Sequence, residues 1–243
     1  MRKFLLVITL IISTNSSFSQ TVVLAKKTNK GIYVAADSRL TRLTKNKKTG
    51  NLDYEKDSIC KILTSGKVNF AFAGLSIDSA ISIAKGLSYS GKPLLEIAEQ
   101  FSQIFGRYLV GKINLEMHNN PDLVKATIDM QETALSDVFV FGEDNDSLRL
   151  YAIRFLFVDG INYKFKVNYE IEPMDQIGVG KIDPIIDTVE TKNIWKRGIV
   201  PTMISLIDIC IAKDSVHVGY PINIVYYDKK KGIKWIQKKQ LCN

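Results

Sequence analysis

The chain has 243 residues, 46% of them apolar and 24% charged, with a formal charge of +8 at pH 7. That balance excludes disordered, collagen-like and coiled-coil chains and supplies enough apolar residues for a core without disulfide staples. Three cysteines and two histidines exclude a disulfide framework and a zinc site of about four clustered ligands, so no metal or cofactor is expected.

Met1-Arg2-Lys3, the apolar run 4–12 and the small polar stretch 13–20 form the three regions of a secretory signal. The run is far shorter than the roughly 20 residues a membrane helix needs, and no later run approaches that length. The reading is a signal peptide over 1–20, a single domain over 21–243 with no membrane span, and a secreted or periplasmic location. Two positive charges leave with Arg2 and Lys3. The remaining excess gathers at 45–48 and 229–231. No aromatic residues interleave these runs and no helix carries a basic stripe, so nucleic acid is not an expected partner.

Residues 21–27 and 32–36 are β-branched and apolar around Asn29-Lys30-Gly31 and predict a hairpin. The polar stretch 44–57 reads as a loop or extended hairpin. A second strand pair, 58–64 and 68–73, flanks Ser65-Gly66-Lys67. Ile77, Ala80, Ile81 and Ala84 then fall at helical spacing behind Ser76 as N-cap. Pro93 opens a second helix whose stripe is Leu94, Ile97, Ala98, Phe101, Ile104, Phe105 and Tyr108; Asn119-Asn120-Pro121 breaks it. Strands are predicted at 137–142, 148–157, 163–167 and 176–180. Residues 183–213 read as helix in two pieces split at Pro201. A last hairpin, 220–227 and 233–236, turns at 228–232. Strands and helices come in blocks rather than alternating, which predicts an α+β fold of antiparallel sheets covered by helices.

Neither a Gly-x-Ser-x-Gly elbow nor a phosphate-binding loop is present. What stands out is that the leader stops at Thr21. An N-terminal threonine carries a hydroxyl nucleophile and its own base, since an α-amine titrates at about 7.7–8.0, and it needs no histidine. The plain alternative is an ordinary first strand residue. Small residues at Ser17 and Ser19 favour a signal-peptidase cut after Ser19. That cut leaves Gln20 on Thr21, to be removed by self-cleavage or an aminopeptidase.

The run from Thr21 through Gly31-Ile-Tyr-Val-Ala-Ala-Asp37-Ser38-Arg39, Cys60-Lys61-Ile-Leu and Ala71-Phe-Ala-Gly74 resembles the proteasome β-type subunits, of the N-terminal-nucleophile (Ntn) hydrolase class. The order of elements downstream extends the resemblance over nearly all of 21–243. It implies a four-layer αββα sandwich of two antiparallel sheets flanked by helices. It further implies Thr21 as nucleophile, Lys61 as the cation beside it, Asp37 as the acid holding that lysine, and the Gly74 N–H as oxyanion donor. Leu40, Leu63, Phe72 and Ser76 would line the pocket for the residue before the cut. The implied substrate is a peptide, with a small amide as the nearest variant. The implied assembly is a homo-oligomeric ring.

The sequence departs from the family at three places. Val179 stands where the family carries a serine beside the threonine amine. Asp214 and Ser215 lie near the place of a supporting acid and serine, with Val218 at the serine's own position. The segment 39–61 is several residues longer than usual. Strand alternation sends Cys60 and Lys61 to opposite sides. A catalytically silent secreted binding protein of the same fold is the alternative function, and a basic surface-binding protein acting through 45–48 and 229–231 is a third.

Overall fold

Residues 21–36 fold as their alternation dictates. Strands β2 (Val22–Lys27) and β3 (Gly31–Ala36) pair antiparallel, and the Thr28 hydroxyl closes their turn by bonding the Gly31 carbonyl. The structure, a computed structural model, describes residues 17–18, 21–45, 49, 51–130, 134–158, 166–190, 194–238 and 242. The expected leader apart from Ser17 and Phe18, and residues 46–48 of the first basic run, lie outside these. Strand β1 (Ser17–Phe18) lies antiparallel along β4 (Arg39–Lys45), which pairs in turn with β5 (Leu52–Ser58).

Two larger sheets carry the fold. Strands β6 (Ile62–Ser65), β7 (Val68–Gly74), β8 (Ser136–Asp144), β9 (Ser147–Val158) and β10 (Lys166–Pro173) run in consecutive antiparallel order. The other sheet has the order β11-β2-β3-β12-β13, with β11 at Gln176–Gly180, β12 at Asn223–Asp228 and β13 at Gly232–Gln237. Helices α1 (Ile77–Ser88), α2 (Leu94–Asn119), α3 (Pro121–Met130), α4 (Ile186–Glu190) and α5 (Ile199–Lys213) complete an α+β chain. No helix among the described residues is long and apolar enough to cross a membrane.

Side-chain size sorts the layers. Along β7, Phe70 and Phe72 turn to one face and pack with Phe101 and Phe105 of α2 and with Ala80 and Ala84 of α1. Ala71 and Ala73 turn to the other face, where they meet Val23, Ala25 and Ala36 of the second sheet. Alternation places bulky rings under helices and methyl groups between sheets, so the sheets approach closely. A third cluster joins Val22, Leu24, Ala35 and Ile224 to Met203, Leu206 and Ile207 of α5.

Four expectations are corrected. The predicted strand 58–64 is two strands in different sheets, with residues 59–61 crossing between them. Ser76 sits at the N-cap of α1 in a left-handed conformation, φ 57°, and makes no cap bond; its hydroxyl accepts from Lys112 at 3.0 Å instead. The chain after Asn120 re-enters a helix, α3, because Pro121 occupies its first position, where a missing N–H costs nothing. The break in 183–213 falls at Gly198, φ 95°, rather than at Pro201, which sits in the first turn of α5 and is tolerated there. The described residues of 183–197, all but 191–193, form two short 3-10 turns and α4. Of the predicted strand 163–167, residues 163–165 lie outside the described residues, and β10 begins at Lys166.

Candidate active site

The topology brings four strand ends to one place. The antiparallel pairing of β2 with β3 puts Thr21, just before β2, beside Asp37, just after β3, and the Asp37 N–H donates to the Val22 carbonyl at 3.1 Å. The pairing of β6 with β7 puts Lys61 at the same end as Gly74. Packing the two sheets face to face then joins the pairs. Thr21, Asp37 and Lys61 are all fully buried.

The Lys61 ammonium holds this cluster together. Nζ donates to Thr21 Oγ at 2.5 Å, to Asp37 Oδ1 at 3.1 Å and to the Arg39 carbonyl. The Asp37 carboxylate is saturated. Oδ1 also accepts from the Val22 N–H, and Oδ2 accepts from the N–H groups of Arg39 and Gly219, each at 3.0 Å. With four donors on its two oxygens the carboxylate is held in one orientation, and it fixes the lysine opposite the hydroxyl. Burial pushes the Lys61 amine down to about 8, against the pull of Asp37. Below about pH 8 it is therefore the ammonium form that donates to Thr21 Oγ and polarises it.

The direction of that shift fixes a pH dependence. Below about pH 8 both the folded and unfolded chains hold the lysine proton, and the fold bears the cost of a buried charge. Between about 8 and 10.5 the unfolded chain binds more protons, so stability rises with pH. Urea unfolding of the wild type and Lys61→Met at pH 7.5 and pH 10 should show the difference between them shifting in favour of the wild type at the higher pH. A constant difference would refute the burial of a titrating amine.

Two glycines are required here by close approach. Gly180 takes φ 85°, and a Cβ there would lie 1.5 Å from the Thr21 carbonyl oxygen, which accepts from the Lys181 N–H. Gly74 takes φ 100°, and a Cβ would lie 2.5 Å from both Leu135 O and Ser136 Cα. Tight packing thus accounts for Gly74 independently of any oxyanion role.

Leu40 and Ser76 are buried. Phe72 is stacked on Phe70 within the aromatic core under α2, and Leu63 is partly buried against the same cluster. Phe72 thus serves as core packing under α2. Asp214 bonds His217 twice, through the backbone N–H at 3.1 Å and through Nδ1 at 2.9 Å. Ser215 follows it in the same loop, which is tied to β4 by the Thr41 hydroxyl on the Val216 carbonyl. Val179 is buried opposite Val23 in the cluster between the sheets.

Sequence reading missed the outer support. Asn223 Nδ2 donates to Ser38 Oγ at 2.6 Å, and the Ser38 N–H donates to the Gly219 carbonyl. Ser38 lay inside the quoted motif, but nothing local marks Asn223 or Gly219. Among the described residues, no three His, Cys, Asp or Glu side chains gather as a metal site. Of the basic runs, the backbone N–H groups of Lys230 and Lys231 cap Asp228 in the β12–β13 turn.

No protein-family model and no curated protein matches this chain.

Proposed function

We propose that the protein is an exported threonine-nucleophile amide hydrolase of the Ntn class, acting on a peptide or small amide once the 20–21 bond is cut. The observation that carries this reading is Lys61 Nζ placed 2.5 Å from Thr21 Oγ and 3.1 Å from Asp37 Oδ1 inside a fully buried cluster. A hydroxyl, a perturbed amine and an orienting carboxylate in series are the recognised signature of an activated nucleophile. Three apolar clusters, helix on sheet, sheet on sheet and sheet on helix, support the four-layer αββα reading. The Cys60–Cys242 disulfide supports an oxidising location.

In the proposed reaction, Thr21 Oγ attacks the carbonyl carbon while its α-amine takes the hydroxyl proton, with the charge of Lys61 favouring the deprotonated forms. The Gly74 N–H serves the oxyanion, the amine leaves with the proton, and water hydrolyses the ester. In the 243-residue chain the Thr21 nitrogen is an amide and cannot act as base. Docking of Ser17 and Phe18 along β4 supports processing in place.

N-terminal sequencing of the exported protein, followed by intact mass after exposure to a β-lactone, tests the proposal. The expected result is a Thr21 N-terminus and one stable acyl adduct on it. A chain beginning before Thr21 and inert to the lactone would support the silent binding protein, which Val179 favours by offering no hydroxyl.

Val179→Ser probes that departure. A hydroxyl in the inter-sheet cluster should cost about 1–3 kcal/mol of stability. A bond to the Thr21 amine should nonetheless speed acylation several-fold, since such bonds contribute about 1.5–3 kcal/mol and tenfold in rate needs about 1.4. Slower acylation would show that 178–180 does not correspond to the family's serine-bearing turn.

A further inference from the structure

Lys61 reaches the site from the crossing between two sheets, where the Ile59 N–H donates to the Ser38 carbonyl at 2.9 Å. Residues 59–61 lie between β5 and β6, outside any strand. Strand β6 has only four residues and forms the edge of its sheet, with β7 on one side. On that side the Lys61 carbonyl accepts from the Phe72 N–H at 2.9 Å. The neighbouring residue, Cys60, is covalently joined to Cys242, at a sequence separation of 182. Cys242 is buried, Cys60 packs against the cluster between the sheets, and the Cys60 thioether-like sulfur also lies 3.2 Å from the Ile62 carbonyl. The bridge therefore anchors the residue next to Lys61 to the end of the chain. The lysine side chain extends the other way, into Thr21 and Asp37.

We propose that the Cys60–Cys242 disulfide is a positioning element for Lys61, so that the site is competent only while the bridge is intact. The inference rests on the threonine-hydrolase reading for its effect on activity, but its structural half stands apart from it. An edge strand of four residues has few bonds to lose when it frays, and local opening of this kind has a low free-energy cost. Displacing a catalytic group by about 1 Å can cost roughly a hundredfold in rate. A fraying strand would also admit water to Lys61 and remove the burial that depresses its amine.

The switch is chemically balanced with a dithiol as reductant. A thiolate of the dithiol attacks one sulfur of the bridge, and the S–S bond breaks. The second thiol of the reductant resolves the mixed disulfide and closes a cyclic disulfide. Two electrons pass to the bridge, and Cys60 and Cys242 each take a proton as thiols. The third cysteine, Cys210, is buried, and burial pushes its thiol up to about 12, so it is not expected to respond.

The test uses the exported, oxidised protein, the same protein after dithiothreitol, and Cys242→Ser. Two quantities are read well below the melting temperature: hydrogen exchange of the Phe72 amide by NMR, and the pH dependence of Thr21 acylation by a β-lactone. Reduction and Cys242→Ser should each speed Phe72 exchange by at least about tenfold. They should also slow acylation by about tenfold or more and move the upper inflection of its pH profile, where the Lys61 ammonium is lost near pH 8, toward the ordinary lysine range. Dithiothreitol should have no effect on Cys242→Ser. Unchanged Phe72 exchange together with an unchanged inflection would overturn the inference and leave the hydrolase reading standing. Faster Phe72 exchange in a protein whose oxidised form is never acylated would uphold the positioning role and remove the hydrolase reading.

Discussion

Thr21→Ala is expected to abolish acylation and turnover, a loss on the order of 10⁴-fold or more, because removal of a covalent nucleophile leaves only substrate binding and oxyanion stabilisation. Thr21→Ser should retain measurable activity, since it keeps both the hydroxyl and the α-amine and loses one buried methyl group. The fold should tolerate the alanine. Without Thr21 Oγ the Lys61 ammonium still donates to Asp37 and to the Arg39 carbonyl, so the cost should be about 1 kcal/mol. Intact mass after lactone treatment and release of amine from an acyl-amide library measure the two halves of the prediction. Turnover by the alanine variant at the wild-type rate would remove Thr21 from the mechanism.

Asp37→Ala should be the most damaging single change in stability. One carboxylate there gathers Lys61 and the N–H groups of Val22, Arg39 and Gly219, drawn from β2, the start of β4, the 59–61 crossing and the loop before β12. Its removal strands a buried ammonium and three amides together. Breaking a buried ion pair alone costs about 3–5 kcal/mol. For a chain of this size, 4 kcal/mol corresponds to a fall of roughly 10 °C in Tm. Lys61→Ala should cost less, about 2 kcal/mol, because Asp37 keeps its three backbone donors. The expected order of Tm is Asp37→Ala lowest, then Lys61→Ala, then Thr21→Ala, measured by circular dichroism at a single pH. If Asp37→Ala does not fold, Asp37→Asn keeps the shape, and it should still melt below Lys61→Ala. An Asp37 variant that melts with Thr21→Ala would mean that the carboxylate does not hold these elements together.

The two predictions separate the chemical role of the site from its structural role. Thr21 carries the proposed reaction through its Oγ, which accepts from Lys61. Asp37 makes and breaks no bond in that reaction, yet it ties two sheets and a loop at the point where Lys61 must be held. The lysine belongs to both. Its cost to the fold is the burial that depresses its amine, and its benefit to the site is the same depressed amine beside a hydroxyl.

Much of this was readable from local pattern. The alternation in 21–27 and 32–36 identified the hairpin that carries Thr21 and Asp37 at one end, because neighbouring antiparallel strands with a short turn leave little freedom of register. The helical stripe from Leu94 to Tyr108 identified α2, whereas strand alternation does not apply to Cys60 and Lys61, because residues 59–61 lie outside any strand. The expected break at Pro201 overlooks that a proline in the first helical turn forfeits no hydrogen bond; Gly198, φ 95°, ends the preceding segment instead.

What local pattern left undecided depended on which distant segments meet. The predicted strand 58–64 read as one run of chain, and only the packing of the sheets divided it between β5 and β6 and left Lys61 at the crossing. Three cysteines left the pairing open until the chain end was placed beside Cys60. Gly219 and Asn223 support Asp37 and Ser38 from more than 180 residues away, and a glycine and an asparagine in a loop carry no signal of that use. Alternation and capping are decided by neighbours along the backbone, so the sequence by itself determined most elements and the hairpin end that bears Thr21 and Asp37. Hydrogen bonds between strand ends of different sheets are decided by how those sheets stack, and so the network that holds the three residues together was settled only by the tertiary structure.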